Sequence, residues 1–241
     1  EDQRAGGTID QVKGRVPVYA GTGCVSTRDT ITLSREAERL GADILSIITP
    51  SFAVASQQEL YDHYCAVAAH VDTPIVLYNI PARTGNKLLP ETVCRLAKDV
   101  EVIKGAKDSS GDWENLKAYI QLTKDLDFSV LSGNDSLILP ALKEGGVGGI
   151  AGCSNVYPKV LSSIYELFQA GKLDEAQAAQ DSIASFRAVF KYGNPNTVVK
   201  TAVAMLGYNV GKCRAPFNQL PQEGLEALEK VLQENKDKGM C

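Results

Sequence analysis

The sequence predicts an α/β fold of parallel strands joined by right-handed helical crossovers, on three observations. Short apolar runs alternate with longer amphipathic ones along the chain. Six apolar runs start at residues 16, 43, 74, 102, 128 and 148, intervals of 27, 31, 28, 26 and 20, each long enough for one strand–helix unit. Polar residues gather where these runs end, and the C-terminal ends of parallel strands are where such folds build their sites.

Residues 1–13 read as an opening helix with no strand before it. The first strand is Val16–Ala20 ("VPVYA"). The helix "RDTITLSREAERLGA" follows, entered by Ser26 or Thr27 as its cap and left at Gly41. Asp43–Ile48 is the second strand, and "SQQELYDHYCAVAAHV" the next helix, where Ser56 and Glu59 have the spacing of a capping box. Pro74–Tyr78 leads to "PETVCRLAKDV", whose Pro90 suits a first helical turn. Val102–Lys107, "WENLKAYIQLTKD", Phe128–Leu131, "SLILPALKEGG" and Gly148–Ala151 complete the alternation, and after residue 157 only helical patterns remain.

Two architectures fit this order. An open doubly wound sheet uses six strands, whereas a closed (β/α)8 barrel needs eight. The open sheet calls for a dinucleotide fingerprint after the first strand. The chain offers "GTGC", a lone G-x-G without the third glycine or a downstream acidic ribose partner, so a tight strand-to-helix turn explains it better.

Composition narrows the function classes. With 241 residues and 44% hydrophobic residues the chain can bury a full core. A net charge of −4 and a pI near 5.3 weigh against nucleic acid or an anionic membrane as partner. No apolar run is long enough to cross a bilayer, and the start, "EDQRAGGTID", has no signal-peptide core. Cys24, Cys65, Cys94, Cys153, Cys213 and Cys241 form no C-x-x-C pair and read as reduced thiols, so the expected location is cytoplasmic. His63 and His70 lie seven apart on one predicted helix, without the spacing or company of a zinc site.

The stretch "VEVIKGAKDSSGDW" carries the chemistry. Lysine and glycine are both disfavoured in strand interiors, yet Lys107 ends this one two residues after Gly105. Alternation puts Ile103, Gly105 and Lys107 on one face and Lys104 and Ala106 on the other. A lysine enclosed in a barrel favours the neutral amine that forms imines with ketones, and Gly105 leaves room beside it. A lysine reaching from the strand end into solvent fits the strand alone equally well, and is the better reading of Lys104. Tyr78 ends its own strand, where a phenol can relay protons to a carbinolamine, or simply sit at the rim. Arg83, in the loop beyond, suits bidentate capture of a carboxylate, or a surface ion pair.

The segments "YNIPARTG", "IKGAKDSSGD", "LSGNDS" and "GGVGGIAGCSNV", in this order and spacing, resemble the pyruvate-dependent lyases. This is the superfamily of dihydrodipicolinate synthase and N-acetylneuraminate lyase, and the likeness runs from "GRVPVYAGTG" at residue 14 to "GKCRAPFNQL" near residue 220. The resemblance implies a (β/α)8 TIM barrel whose first two strands are absent from this chain, with a partial barrel over residues 1–170 (helix 2 through helix 8). A C-terminal helical extension over 171–241 follows.

It also implies roles. Lys107 matches the Schiff-base lysine and Tyr78 the proton-relay tyrosine. Ile150 matches the position whose carbonyl contacts the keto acid, and Gly133 and Asn134 fall with the substrate-binding residues. Arg83 matches the arginine that holds the second substrate's carboxylate in the synthase branch. Ser136 stands where the neuraminate branch carries an acidic residue. Both positions favour the synthase side.

One departure keeps a rival open. The synthase branch has two tyrosines after the proline of "TPSFAVASQQELYDHY", where this chain has Ser51 and Phe52. The second ordinarily reaches a neighbouring subunit and completes the relay, and Phe52 keeps only the ring. The implied enzyme is a class I aldolase-type lyase, dihydrodipicolinate synthase-like, condensing pyruvate with an aldehyde such as aspartate semialdehyde. A 2-keto-3-deoxy sugar acid aldolase or dehydratase, and a non-catalytic keto-acid-binding paralogue, stand as alternatives. The implied partners are a small keto acid and an aldehyde, with no metal or organic cofactor beyond the covalent lysine imine. A homodimer or homotetramer is implied too.

Overall fold

The six anticipated strands are all present in the computed structural model, which describes residues 2–217 and 219–240, with side chains from residue 6 onward. Glu1 of the opening helix and the Cys241 thiol lie outside the described residues. The chain divides into two compact units, residues 1–132 with 144–147, and residues 133–143 with 148–241.

The first unit alternates strand and helix. Its elements are α1 (Asp2–Val12), β1 (Tyr19–Gly21), α2 (Thr27–Arg39), β2 (Ile44–Ile48), α3 (Gln57–Ala68), β3 (Ile75–Asn79), α4 (Pro81–Thr84), α5 (Pro90–Asp99), β4 (Ile103–Asp108), α6 (Trp113–Thr123) and β5 (Ser129–Ser132). All four neighbouring pairs from β1 to β5 are parallel and follow chain order. Most strands start later than the apolar runs do, because the first apolar residues precede the ladder: Val16, for one, is 60% exposed.

Local chemistry sets the helix starts. The Ser26 hydroxyl accepts from the Asp29 amide, which settles the cap of α2 in favour of Ser26 over Thr27. Ser56 and Glu59 form a complete capping box at α3. Pro90 occupies the first turn of α5. The left-handed Gly41, φ +90°, follows the end of α2. Helix α3 ends at Ala68, so only His63 lies on it. His70 follows, its ring Nδ1 donating to the Ala66 carbonyl at 2.7 Å.

Strand β3 buries Ile75, Val76 and Leu77 almost completely, as a strand covered on both faces requires, whereas β2 alternates, with Leu45 and Ile47 at 0% exposure and Ile44 and Ile48 half-buried. In β4 the simple alternation breaks. Ile75 pairs with Ile103 but Val76 pairs with Gly105, so Lys104 is an extra, bulged residue. Gly105 also has a different reason from the one expected. A Cβ there would stand 2.6 Å from the Ser129 carbonyl oxygen of β5, so glycine is required by the close approach of neighbouring backbone.

The second unit holds α7 (Ile138–Glu144, up to Lys143), β6 (Gly148–Gly149) and the helices α8 (Pro158–Gln169), α9 (Leu173–Ser182), α10 (Ala184–Ala188), α11 (Pro195–Met205) and α12 (Gln222–Asp237). Its core gathers Tyr157, Phe186, Val198 and Leu228, with Phe186 edge-on to both Tyr157 and Phe190. The Tyr157 hydroxyl accepts from the Asn235 amide at 2.9 Å, so this buried phenol is satisfied.

Candidate active site

In the first unit the functional side chains stand at the C-terminal ends of β3 and β4. Tyr78 and Lys107 are direct register partners across the two strands. The Lys107 amine lies 3.9 Å from the centroid of the Tyr78 ring. Lys107 is half-buried, and among the described residues its amine makes no hydrogen bond or ion pair. The face of an aromatic ring attracts a lysine side chain placed over it. Lys104, by contrast, donates to Asp127 at 2.7 Å at the surface.

The loop after β3 carries Arg83. Pro81 starts the short helix α4, and Gly85, φ +81°, ends it. The guanidinium of Arg83 is exposed, and among the described residues no carboxylate pairs with it. The buried Thr84 hydroxyl accepts from Thr49 at 2.8 Å, which anchors this loop to the end of β2.

Phe52 lies in the loop after β2 and is 96% exposed, with a backbone φ of +85° that bulky residues rarely adopt. Asn86 holds that loop. Its amide nitrogen donates to the carbonyls of Pro50 at 2.9 Å and Ala53 at 2.8 Å, and its oxygen accepts from the Ala55 amide at 2.8 Å. Sequence reasoning missed Asn86. Its one signal is a polar residue directly after a turn glycine in "RTGN".

A second network was also missed. On the strand positions just past the Tyr78–Lys107 pair, Asn79 and Asp108 are buried at 1% and 2% exposure, and the Asn79 amide donates to the Asp108 carboxylate at 2.8 Å. Ser109 continues the ladder by donating its amide to the Asn79 carbonyl at 2.8 Å, and among the described residues its buried hydroxyl has no hydrogen-bond partner.

The remaining expected positions belong to the second unit. Asn134 starts the 3-10 turn Asp135–Leu137, and its amide oxygen accepts from Ser136 Oγ at 2.8 Å and from Arg187 at 3.0 Å. Gly133, before it, is half-buried. Arg187 also pairs with the Asp135 carboxylate at 2.7 Å, and Asp135 accepts from the Cys153 amide at 3.0 Å. That carboxylate therefore joins the loop after β5 to the turn Gly152–Asn155, which follows Ile150. Ile150 is half-buried, one residue beyond β6.

Titration in these units follows burial. Desolvation pushes the Tyr64 and Tyr119 phenols upward, and raises the Cys153 thiol out of the reactive range. Among the described residues, Cys65, Cys94, Cys153 and Cys213 are free thiols. Among the described residues no helix is long and apolar enough to cross a membrane.

The model of the dihydrodipicolinate synthetase family matches residues 3–235. A 4-hydroxy-tetrahydrodipicolinate synthase of Methanospirillum hungatei is 38% identical over 226 residues, covering 93% of this chain and 77% of the relative. The solved 4-hydroxy-tetrahydrodipicolinate synthase of Methylacidiphilum fumariolicum superposes with a TM-score of 0.94 at 33% identity, covering 98% of this chain and 79% of that one. A prophage protein of E. coli K12 in the dihydrodipicolinic acid synthase family, solved in complex with pyruvate, gives a TM-score of 0.92 at 29% identity, over 100% and 81% of the two chains. The chain belongs to the dihydrodipicolinate synthetase family.

Proposed function

We propose that this chain is a Schiff-base-forming lyase of the 4-hydroxy-tetrahydrodipicolinate synthase type, condensing pyruvate with aspartate semialdehyde. The observation that carries the reading is the unpaired Lys107 amine over the Tyr78 ring at the end of a parallel strand. The amine adds to the C2 carbonyl carbon of pyruvate, and the resulting carbinolamine loses water to give a protonated imine. That imine is an electron sink, so the methyl group gives up a proton and the enamine carbon attacks the aldehyde. The acceptor's own amino group then adds to the imine carbon and expels the lysine nitrogen, which closes the product ring and returns the free amine. Tyr78 carries protons to and from the carbinolamine oxygen, a role worth roughly 10²–10⁴-fold in rate. The Arg83 guanidinium, exposed and without a carboxylate, holds that of the acceptor. Gly133, Asn134 and the Ile150 carbonyl serve the bound keto acid. This chemistry needs no metal or organic cofactor.

The same reading extends to architecture. We infer that the strands of this chain are six of the eight staves of a (β/α)8 barrel. Residues 1–170 then form the partial barrel and 171–241 the C-terminal helical extension. Phe52, projecting at 96% exposure from its strained loop, contacts a second subunit in a homodimer or homotetramer. The protein is cytoplasmic in this reading.

One observation favours a second reading. Among the described residues the buried Ser109 hydroxyl, two residues beyond Lys107, has no hydrogen-bond partner, a bond that a hydroxylated acceptor such as a 2-keto-3-deoxy sugar acid can offer. Steady-state turnover of pyruvate plus aspartate semialdehyde, against cleavage of the sugar acid, decides between them. The first reading expects turnover only with the semialdehyde. Turnover of the sugar acid alone, weakened by Ser109→Ala, establishes the second.

A further inference from the structure

We propose that Asn79 and Asp108 are positioning residues that fix the register of β3 against β4 and so hold the Lys107 amine over the Tyr78 ring. The inference rests on Lys107 being the imine-forming amine. Four residue steps separate Ile103 from Lys107, but only three separate their partners Ile75 and Tyr78. The extra residue is the bulged Lys104. Without it Ala106 would stand opposite Tyr78. Bulges beside active sites re-aim side chains in this way. They also weaken the ladder locally, and a one-residue slip turns every following side chain to the other face of the sheet. A slip here removes Lys107 from Tyr78.

The pair directly after Tyr78–Lys107 opposes that slip. Asn79 and Asp108 are the next register partners, both buried, and joined side chain to side chain at 2.8 Å. Asp108 also accepts from the Ser110 amide at 3.1 Å, the Ser110 hydroxyl at 2.8 Å and the Asn115 amide at 3.3 Å. All four donors are neutral, and among the described residues no cation pairs with this carboxylate. Asn79 in turn accepts from the Leu88 amide at 3.0 Å. A register slip would leave a buried carboxylate and a buried amide without partners, among the costlier defects in a protein interior. Side chains alternate, so Asn79 and Asp108 point away from the face that carries Tyr78 and Lys107 and never meet substrate. Their influence on the reaction acts only through strand register.

The test measures the rate of imine formation on the full chain at saturating pyruvate, by quenching with borohydride at set times and weighing the protein. Asn79→Asp sets a second carboxylate against Asp108, and Asp108→Asn added to it restores the cross-strand bond with the two groups exchanged. Asn79→Asp is expected to slow imine formation on the order of 10²-fold, the scale of a misplacement of about 1 Å. The half-saturating pyruvate concentration should move by less than about twofold, since no contact with pyruvate is lost. The exchanged pair should recover to within about threefold of wild type, and Asp108→Asn alone should fall between. An Asn79→Asp protein that melts like wild type and reacts at the wild-type rate overturns the proposal. So does an exchanged pair that melts normally and stays as slow as Asn79→Asp. If Asn79→Asp does not fold, the exchanged pair against Asp108→Asn decides: faster supports the proposal, and equal or slower overturns it. A wild type that forms no adduct overturns the Lys107 assignment and this inference together, whereas the other failures leave that assignment standing.

Discussion

The two lysines of β4 meet opposite treatment three residues apart on the same strand. Lys104, at the bulge, donates to Asp127 in the open, where the carboxylate holds the lysine's pKa above its ordinary value. Lys107, three residues later, has no counter-ion among the described residues and lies against an aromatic face. A fold that merely tolerates a lysine lets it find a carboxylate or water. A fold that sets no carboxylate beside the lysine leaves the amine available for covalent chemistry. The same contrast separates the units. In the second, the buried charge of Asp135 is matched by Arg187 and serves structure, whereas in the first the buried charge of Asp108 is satisfied by neutral donors beside the reactive amine.

The largest expected effect breaks that contrast outright. Lys107→Ala should abolish borohydride trapping of pyruvate, while Lys104→Ala should trap at the wild-type rate and shift the melting temperature by no more than about 2 °C, as exposed pairs do. Next, Tyr78→Phe keeps the ring under the amine and removes the hydroxyl. Trapping should persist, with imine formation roughly 10²-fold slower. An unchanged rate would confine Tyr78 to packing. Gly105→Ala sharpens the structural half of the comparison. A methyl group placed 2.6 Å from the Ser129 carbonyl oxygen must push β4 and β5 apart, costing about 2 kcal/mol in chemical denaturation.

The smallest effect concerns pH. Burial lowers the His63 pKa below its ordinary 6.5, and among the described residues its buried Nε2 has no partner. The unfolded chain therefore binds a proton that the folded one resists, so this contribution to stability is complete above about pH 6.5 and fades as the pH falls below it. His63→Gln should flatten the loss of denaturation midpoint between about pH 7 and 5. An identical slope in the variant would remove His63 as the cause.

Periodicity and turn chemistry made most of the fold legible. The Ser56 capping box, Pro90 and all six strands follow from local rules that act within a few residues. The bulge at Lys104 was not legible, because it is a relation between strands, and no residue in "VIKGAK" signals an insertion against Ile75 and Val76. The same holds for Gly105, whose need arises from the β5 backbone, and for His70, which the helical pattern carried past the true end of α3. In the site, Lys107 and Tyr78 drew notice as polar residues at strand ends. Asn79 and Asp108 are their immediate neighbours in sequence but become meaningful only once the register pairs them.

The central claim is that one amine, and not its neighbour on the same strand, bonds covalently to a small keto acid. Incubating the full chain with pyruvate and borohydride, then locating the added mass by peptide mapping, tests it most directly. The expected result is a single reduced pyruvate adduct on Lys107 that disappears in Lys107→Ala. An adduct on another lysine, or one that survives Lys107→Ala undiminished, would contradict the account.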